Sequence, residues 1–234
     1  MKLSVVQQEL RKFADPTTAK KSLRYHKTGK GEYGEGDKFL GVRVPDLRAI
    51  AKQYRSLPVK DILNVLQSRY HEERLLALVM LVYHFQKGDD ALKRGIYRSY
   101  LSNTEYVNGW DLVDSSAHQI VGGFLLERPR RKLATLSQSN SLWERRISII
   151  ATLHFIKHDQ YEDTLKLSRQ LLNDEEDLIH KAVGWMLREV GNRDKQTEVK
   201  FLTAHYKTMP RTMLRYAIEK FDKKERDQYL NGTV

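Results

Sequence analysis

The sequence predicts an all-α protein built as a helical solenoid, and three observations carry that prediction. Apolar residues recur at helical spacing along nearly all of the 234 residues, as in Leu75, Leu76, Val79, Met80, Val82 and Tyr83, while strand-like alternation is scarce. The prolines, Pro16, Pro45, Pro58, Pro129 and Pro210, each fall where one helical pattern stops or another starts. Short segments also resemble one another at a regular step: Glu73–Ala77, Glu144–Ser148, Ile179–Val183 and Leu214–Ile218 follow at intervals of 71, 35 and 35 residues. The first interval holds two units, which places a further one near residues 109 to 113, where Trp110-Asp111-Leu112-Val113-Asp114 opens a helix. A period of this size with two helices per unit marks a solenoid whose units bury their apolar faces against their neighbours. Chance similarity among amphipathic helices is the competing account.

In chain order, a helical pattern leads into the clearest non-helical stretch, Lys27 to Pro45, which holds Gly29, Gly31, Gly34, Gly36 and Gly41. Within it, Gly29-Lys30-Gly31-Glu32-Tyr33-Gly34 matches G-x-G-x-x-G. That motif cradles phosphate when it follows a strand and opens a helix; here a helix precedes it, and Glu32 and Glu35 would repel phosphate. The segment reads instead as a mobile loop carrying Lys27, Lys30 and Lys38. Further on, Asn108 suits the N-cap of the helix opening at Trp110, and Asp111 falls three positions later, where a carboxylate is favourable to free amides. Trp143-Glu144-Arg145-Arg146 leads into the apolar helix Ile147 to Ile156, and a later helix places Gly184 beside Trp185. Glycine inside a helix costs roughly 1 kcal/mol against alanine, so another backbone or a ligand is expected to approach there.

Composition narrows the function. Lys plus Arg number 41 against 30 Asp plus Glu, a net charge of +11, which favours a polyanionic partner, with a generic basic surface as the plain alternative. Cysteine is absent, which removes disulfides, thiolate metal sites and a cysteine nucleophile. The stretch Met1 to Leu10 lacks the uninterrupted apolar core of a signal peptide, and no apolar run approaches membrane-spanning length. The chain reads as a soluble, intracellular monomer with no membrane partner. His154 and His158 lie four apart without the carboxylate of an H-E-x-x-H pattern, and Ser115 and Ser116 lack a nucleophile elbow. No metal and no cofactor is expected.

Trp110, Arg146 and Trp185 fall in related phases of the repeat, so solenoid stacking would align them on one concave surface. Asp114 shares a helical face with Trp110 and lies too far into its helix to cap it. It is either partly buried for function or on a solvated face. Each tryptophan alone is better explained by a core; their joint phase points to a site. Basic clusters at Lys20, Lys21, Arg24 and Lys27, at Arg128, Arg130, Arg131 and Lys132, and at Arg188, Arg193, Arg211 and Arg215 would suit a phosphate backbone.

These motifs carry a family resemblance. Trp110 to Asp114, Leu142 to Arg146 and Lys181-Ala182-Val183-Gly184-Trp185-Met186-Leu187-Arg188-Glu189, with Phe39-Leu40-Gly41-Val42-Arg43-Val44-Pro45, resemble the AlkD family of alkylpurine DNA glycosylases over most of the chain. The resemblance implies an α-α superhelix of HEAT-like repeats spanning 1–234 as one domain, with a basic concave groove for duplex DNA; the Gly-rich loop at 27–45 is read from the residues themselves, and its stretch Lys27 to Gly36 exceeds the family's short connection. It implies excision of cationic N3- and N7-alkylated purines, in a cytoplasmic protein associated with the nucleoid when bound to DNA. Asp114 would be the catalytic carboxylate, Trp110 and Trp185 would line the lesion-bearing sugar and backbone, and Arg146 would contact phosphate. Tyr25 resembles a further DNA-contacting position, and Lys27 and Arg188 join it as DNA-binding candidates. One departure stands out: a family pattern with tandem tryptophans before the aspartate is Gly109-Trp110 here. A non-catalytic binder of damaged or branched DNA is the first rival reading, and a solenoid that takes acidic peptides is the second.

Overall fold

Every regular element among the described residues, 4–234 of this computed structural model, is helical; the one strand-like feature is an isolated bridge between Lys38 and Tyr70. Met1 to Leu3, the start of the stretch read above for a leader, lie outside the described residues. The chain divides into two compact units, one ending at Ile120 and one running from Val121 to Val234.

The first unit contains α1 (Val5–Arg11), α2 (Pro16–Tyr25), α3 (Val44–Gln53), α4 (Val59–Leu66), α5 (His71–Lys87), α6 (Asp90–Leu101) and α7 (Trp110–Asp114). Its boundaries follow local chemistry. Ser4 and Gln7 close a capping box on α1, Asp15 and Asp89 accept amides at the starts of α2 and α6, and Pro16 and Pro45 sit in first turns. The spine is α5, whose residues Leu75 to Val82 are all buried and which packs against α3, α4, α6 and α7. A helix apolar on all sides belongs inside, and each fully buried leucine there contributes roughly 2 to 3 kcal/mol.

The first turn of α5 is different. His71, Glu72, Glu73 and Arg74 are all buried, and together they hold several separate pieces of chain. Glu72 accepts the amides of Leu40 and Gly41, Glu73 takes Gln7, Arg11 and Ser68, and Arg74 reaches Asp37 and the Ser68 carbonyl.

The second unit contains α8 (Gly123–Leu125), α9 (Arg131–Ser137), α10 (Leu142–Ala151), α11 (Leu153–Ile156), α12 (Glu162–Gln170), α13 (Asp177–Gly191), α14 (Lys195–His205), α15 (Arg211–Ala217) and α16 (Lys223–Asn231). The repeat read from the sequence is real here. Its segments fall at the starts of α10, α13 and α15, and α13 packs against both α10 and α15. A shared side-chain bond runs through the repeat in both units: Arg74, Arg145 and His180 each bond the carbonyl six residues back, at Ser68, Ser139 and Asp174. Chance similarity would not reproduce that contact. Gly184 has the expected cause, since a Cβ there would stand 2.4 Å from the Met213 carbonyl oxygen and 2.5 Å from Tyr216 Cβ. Two helices therefore approach too closely for any larger residue.

The Gly-rich segment is non-helical, as its glycines led one to expect. It is a run of hydrogen-bonded turns, with the Gly34 amide on the Lys27 carbonyl and the Asp37 amide on the Gly34 carbonyl. The Glu32 carboxylate accepts the Gly29 amide at 2.8 Å, and Glu35 accepts the Gly31 amide at 2.8 Å. The protein's own carboxylates thus occupy amides that a phosphate would need, the physical form of the incompatibility read from Glu32 and Glu35. No helix among the described residues is long and apolar enough to cross a membrane.

Candidate functional site

The Trp110 helix is built differently from its sequence reading. Its N-cap is Gly109 rather than Asn108, and no side chain caps it. Asp111 is not a capping group: its two oxygens accept from His71 Nε2 at 3.0 and 2.8 Å. The other imidazole nitrogen, Nδ1, lies 2.7 Å from Asp37 Oδ2, and Arg74 bonds the second Asp37 oxygen at 2.7 Å. Sequence reasoning gave Asp111 a sufficient local explanation and so missed this cluster. Its signal was present: His71-Glu72-Glu73-Arg74, four ionisable residues, leads directly into the apolar run Leu75 to Val82.

An aromatic stack continues from the buried imidazole to the surface. His26 lies over His71 at 4.7 Å between ring centroids, over Phe39 at 4.8 Å, and nearly parallel to Trp110 at 5.6 Å and 10°. Tyr25 meets the Trp110 indole edge-on at 5.8 Å and is 67% exposed. The lost tandem aromatic has a steric cause. A Cβ at Gly109 would stand 2.9 Å from His71 Cε1, so the imidazole occupies the space a larger residue would need.

Charges in this cluster compensate one another. Burial alone would lower the His71 imidazole, 2% exposed, but hydrogen bonds and charges from Asp111 and Asp37 outweigh it and hold the pKa up at about 9. Burial likewise opposes ionisation of Asp37 and Asp111, yet His71, with Arg74 beside Asp37, keeps both below the usual carboxylate value. His26 is lowered, first by burial, with Asp111 opposing. Ligand-capable atoms of His26, His71 and Asp111 lie within 4.8 Å of one another. Both nitrogens of His71 are nonetheless engaged by carboxylates, so the cluster holds a proton where a metal ion would have to bind.

Asp114 ends α7, partly buried, one turn beyond Trp110. Its charge reaches the buried Tyr100 phenol, raised chiefly by burial and bonded to Ser116 Oγ at 3.0 Å. The first unit thus brings Trp110, Asp114 and Tyr25 into one neighbourhood. Lys27, exposed two residues past Tyr25, has a positive φ of 49° and places its ammonium 6.0 Å from the Tyr33 ring.

The second unit holds the other candidates. Trp185 is partly exposed and donates Nε1–H to Glu189 at 2.9 Å. Arg146 is only 5% exposed and donates to the Leu178 carbonyl, and Arg188 is paired with Glu219. Both arginines, read as DNA contacts, have structural partners. Arg130 is likewise engaged, by Asp163 at 2.7 Å and over the Phe155 ring at 3.8 Å.

The chain belongs to the DNA alkylation repair enzyme family, whose model matches residues 6–221. A solved structure named as a predicted DNA alkylation repair enzyme from Enterococcus faecalis shares the fold, with a TM-score of 0.69 at 19% identity over 90% of this chain and 97% of that one. No curated protein sequence matches the chain.

Proposed function

We propose that this family member is a monofunctional DNA glycosylase that hydrolyses the N-glycosidic bond of cationic N3- and N7-alkylated purines in duplex DNA. The observation that carries the reading is the pairing, on one short helix, of a supported indole face at Trp110 with the partly buried carboxylate of Asp114. The family and the +11 charge supply the polyanionic partner.

Alkylation makes the purine cationic and already a good leaving group, so no general acid has to protonate it. As the bond from C1′ breaks, the purine takes the electron pair and positive charge develops on the deoxyribose. Asp114 opposes that charge and orients a water, which adds to C1′ and gives up a proton to the Asp114 carboxylate, from which it passes to solvent. Trp110 and Trp185 contribute aromatic faces to the cationic sugar and backbone. Unit charges about 4 Å apart at an effective dielectric of about 20 interact by roughly 4 kcal/mol, which corresponds to about three decades in rate. Tyr25 and Lys27, both exposed, are assigned to the DNA backbone; Arg146 and Arg188, read from the sequence for the same role, would reach phosphate only by giving up their Leu178 and Glu219 partners. The protein would act as a monomer without a cofactor, in the cytoplasm and on the nucleoid.

The test is release of free 7-methylguanine from duplex DNA, with Asp114→Asn alongside. Loss of release with retained duplex affinity is the expected outcome. Equal release by both proteins removes Asp114 from the centre. Tight duplex binding without release of either 7-methylguanine or 3-methyladenine favours a non-catalytic binder of damaged or branched DNA.

A further inference from the structure

The helix that carries Trp110 and Asp114 is five residues long and has no side-chain cap. Such a helix has little stability of its own, because nucleation costs more than one turn returns. Its geometry must come from outside. We propose that His71, gripped by Asp37 and Asp111, is a positioning residue that sets Trp110 and Asp114 in place before DNA arrives. This rests on the glycosylase reading of those two residues.

The geometry supports it at three points. Asp111 adjoins Trp110 in the chain and bonds His71 through both oxygens, so the first turn of α7 is fixed to the first turn of α5. His26 packs against His71 with the rings tilted by 50° and stacks on Trp110, so the His71 imidazole also supports the indole ring through His26. Asp37 fixes the far side of the imidazole and is itself held by Arg74. Displacing His71 therefore loosens both the backbone and the side chain of Trp110, and a clamp serving stability alone would not need the second connection. The charged and titratable groups that face His71 are Asp37, Arg74, Asp111 and His26, so its proton is set within the cluster. The Gly109 contact binds the device to this sequence, since the imidazole fills the space of a side chain there.

The experiment has two arms on the full chain. In a Trp143→Phe, Trp185→Phe background, Trp110 is the sole tryptophan, and acrylamide quenching of its emission reports its placement without reference to activity. In the otherwise native chain, single-turnover 7-methylguanine release and duplex affinity are measured. His71→Ala is expected to raise quenching and to slow single-turnover release about 100-fold, with duplex affinity changed by no more than about threefold. Asp111→Asn, which keeps an acceptor oxygen, should give intermediate values and guards against a His71→Ala protein that fails to fold. Imidazole added to His71→Gly should restore part of the rate and the quenching. Unchanged quenching in folded variants overturns the proposal, as does stoichiometric zinc that copurifies with wild type and is lost in His71→Ala. If wild type releases no base, the quenching arm still decides: raised quenching retains the clamp while the glycosylase reading falls.

Discussion

The first turns of α5 and α10 stand 71 residues apart in the repeat and begin alike, with Glu73-Arg74 matching Glu144-Arg145. Their arginines do the same local work, each donating to a carbonyl six residues back at 3.0 Å. Beyond that they diverge. Arg145 reaches forward to Asp174 on the approach to the next repeat helix, while Arg74 reaches back to Asp37 in the Gly-rich segment. Two positions ahead of the shared glutamate, α10 has Leu142 where α5 has His71. The second unit is thus stapled to its neighbouring helix by a bidentate ion pair, as a regular solenoid needs. The first unit carries an imidazole at that position, and with it a cluster joining three segments. A candidate site and a plain helix staple are here built on the same turn.

Removing the differing residue should separate the two turns most strongly. His71→Ala leaves Asp37 and Asp111 without their shared cation, a loss of about 3 to 5 kcal/mol, whereas Leu142→Ala at a partly exposed position should cost under about 2 kcal/mol. Urea unfolding measures both, and equal losses would erase the distinction. A smaller effect is expected at Gly109→Ala, where the new methyl meets the imidazole: about 1 to 3 kcal/mol. In a His71→Ala background that cost should largely vanish, because the colliding ring is gone; a double-mutant cycle in urea reads the coupling.

A further contrast between the units is a slope against pH. The folded pKa of His71 is raised from 6.5 to about 9, so its contribution is fully present below 6.5 and lost as pH rises through 9. In the second unit, burial raises Glu198 from 4.5 to about 8, against the opposing charges of Lys195 and Arg188. Its contribution is present below 4.5 and lost as pH rises through 8. Thermal melts across this range should show stability falling toward alkali. His71→Gln should flatten the fall between 6.5 and 9, and Glu198→Gln the fall between 4.5 and 8. If either variant keeps the wild-type slope, that residue does not carry the titration.

Much of the molecule could be read from residues close together in the chain. Pro16, Pro45, Pro58 and Pro210 lie at helix starts because proline lacks the amide that a first turn can spare. The step between repeat segments fell on real helix starts, since the apolar face that each unit must bury recurs with the unit. Gly184 was legible as a close approach, although its partner across α15 was not. Asp111 went the other way: a position that satisfies a local rule also satisfied a distant one, and the local rule hid it.

The sequence by itself determined the helical class, the phase of the repeat and the nearness of Asp114 to Trp110, because periodicity and capping act within a turn or two. Only the tertiary structure decided that His71 meets Asp37 and Asp111, 34 and 40 residues away, and that Arg146 is buried against a carbonyl. Those outcomes depend on which desolvated polar groups find partners when separate segments pack. A buried charge is strongly penalised until a partner arrives, and nothing in the local spacing names that partner.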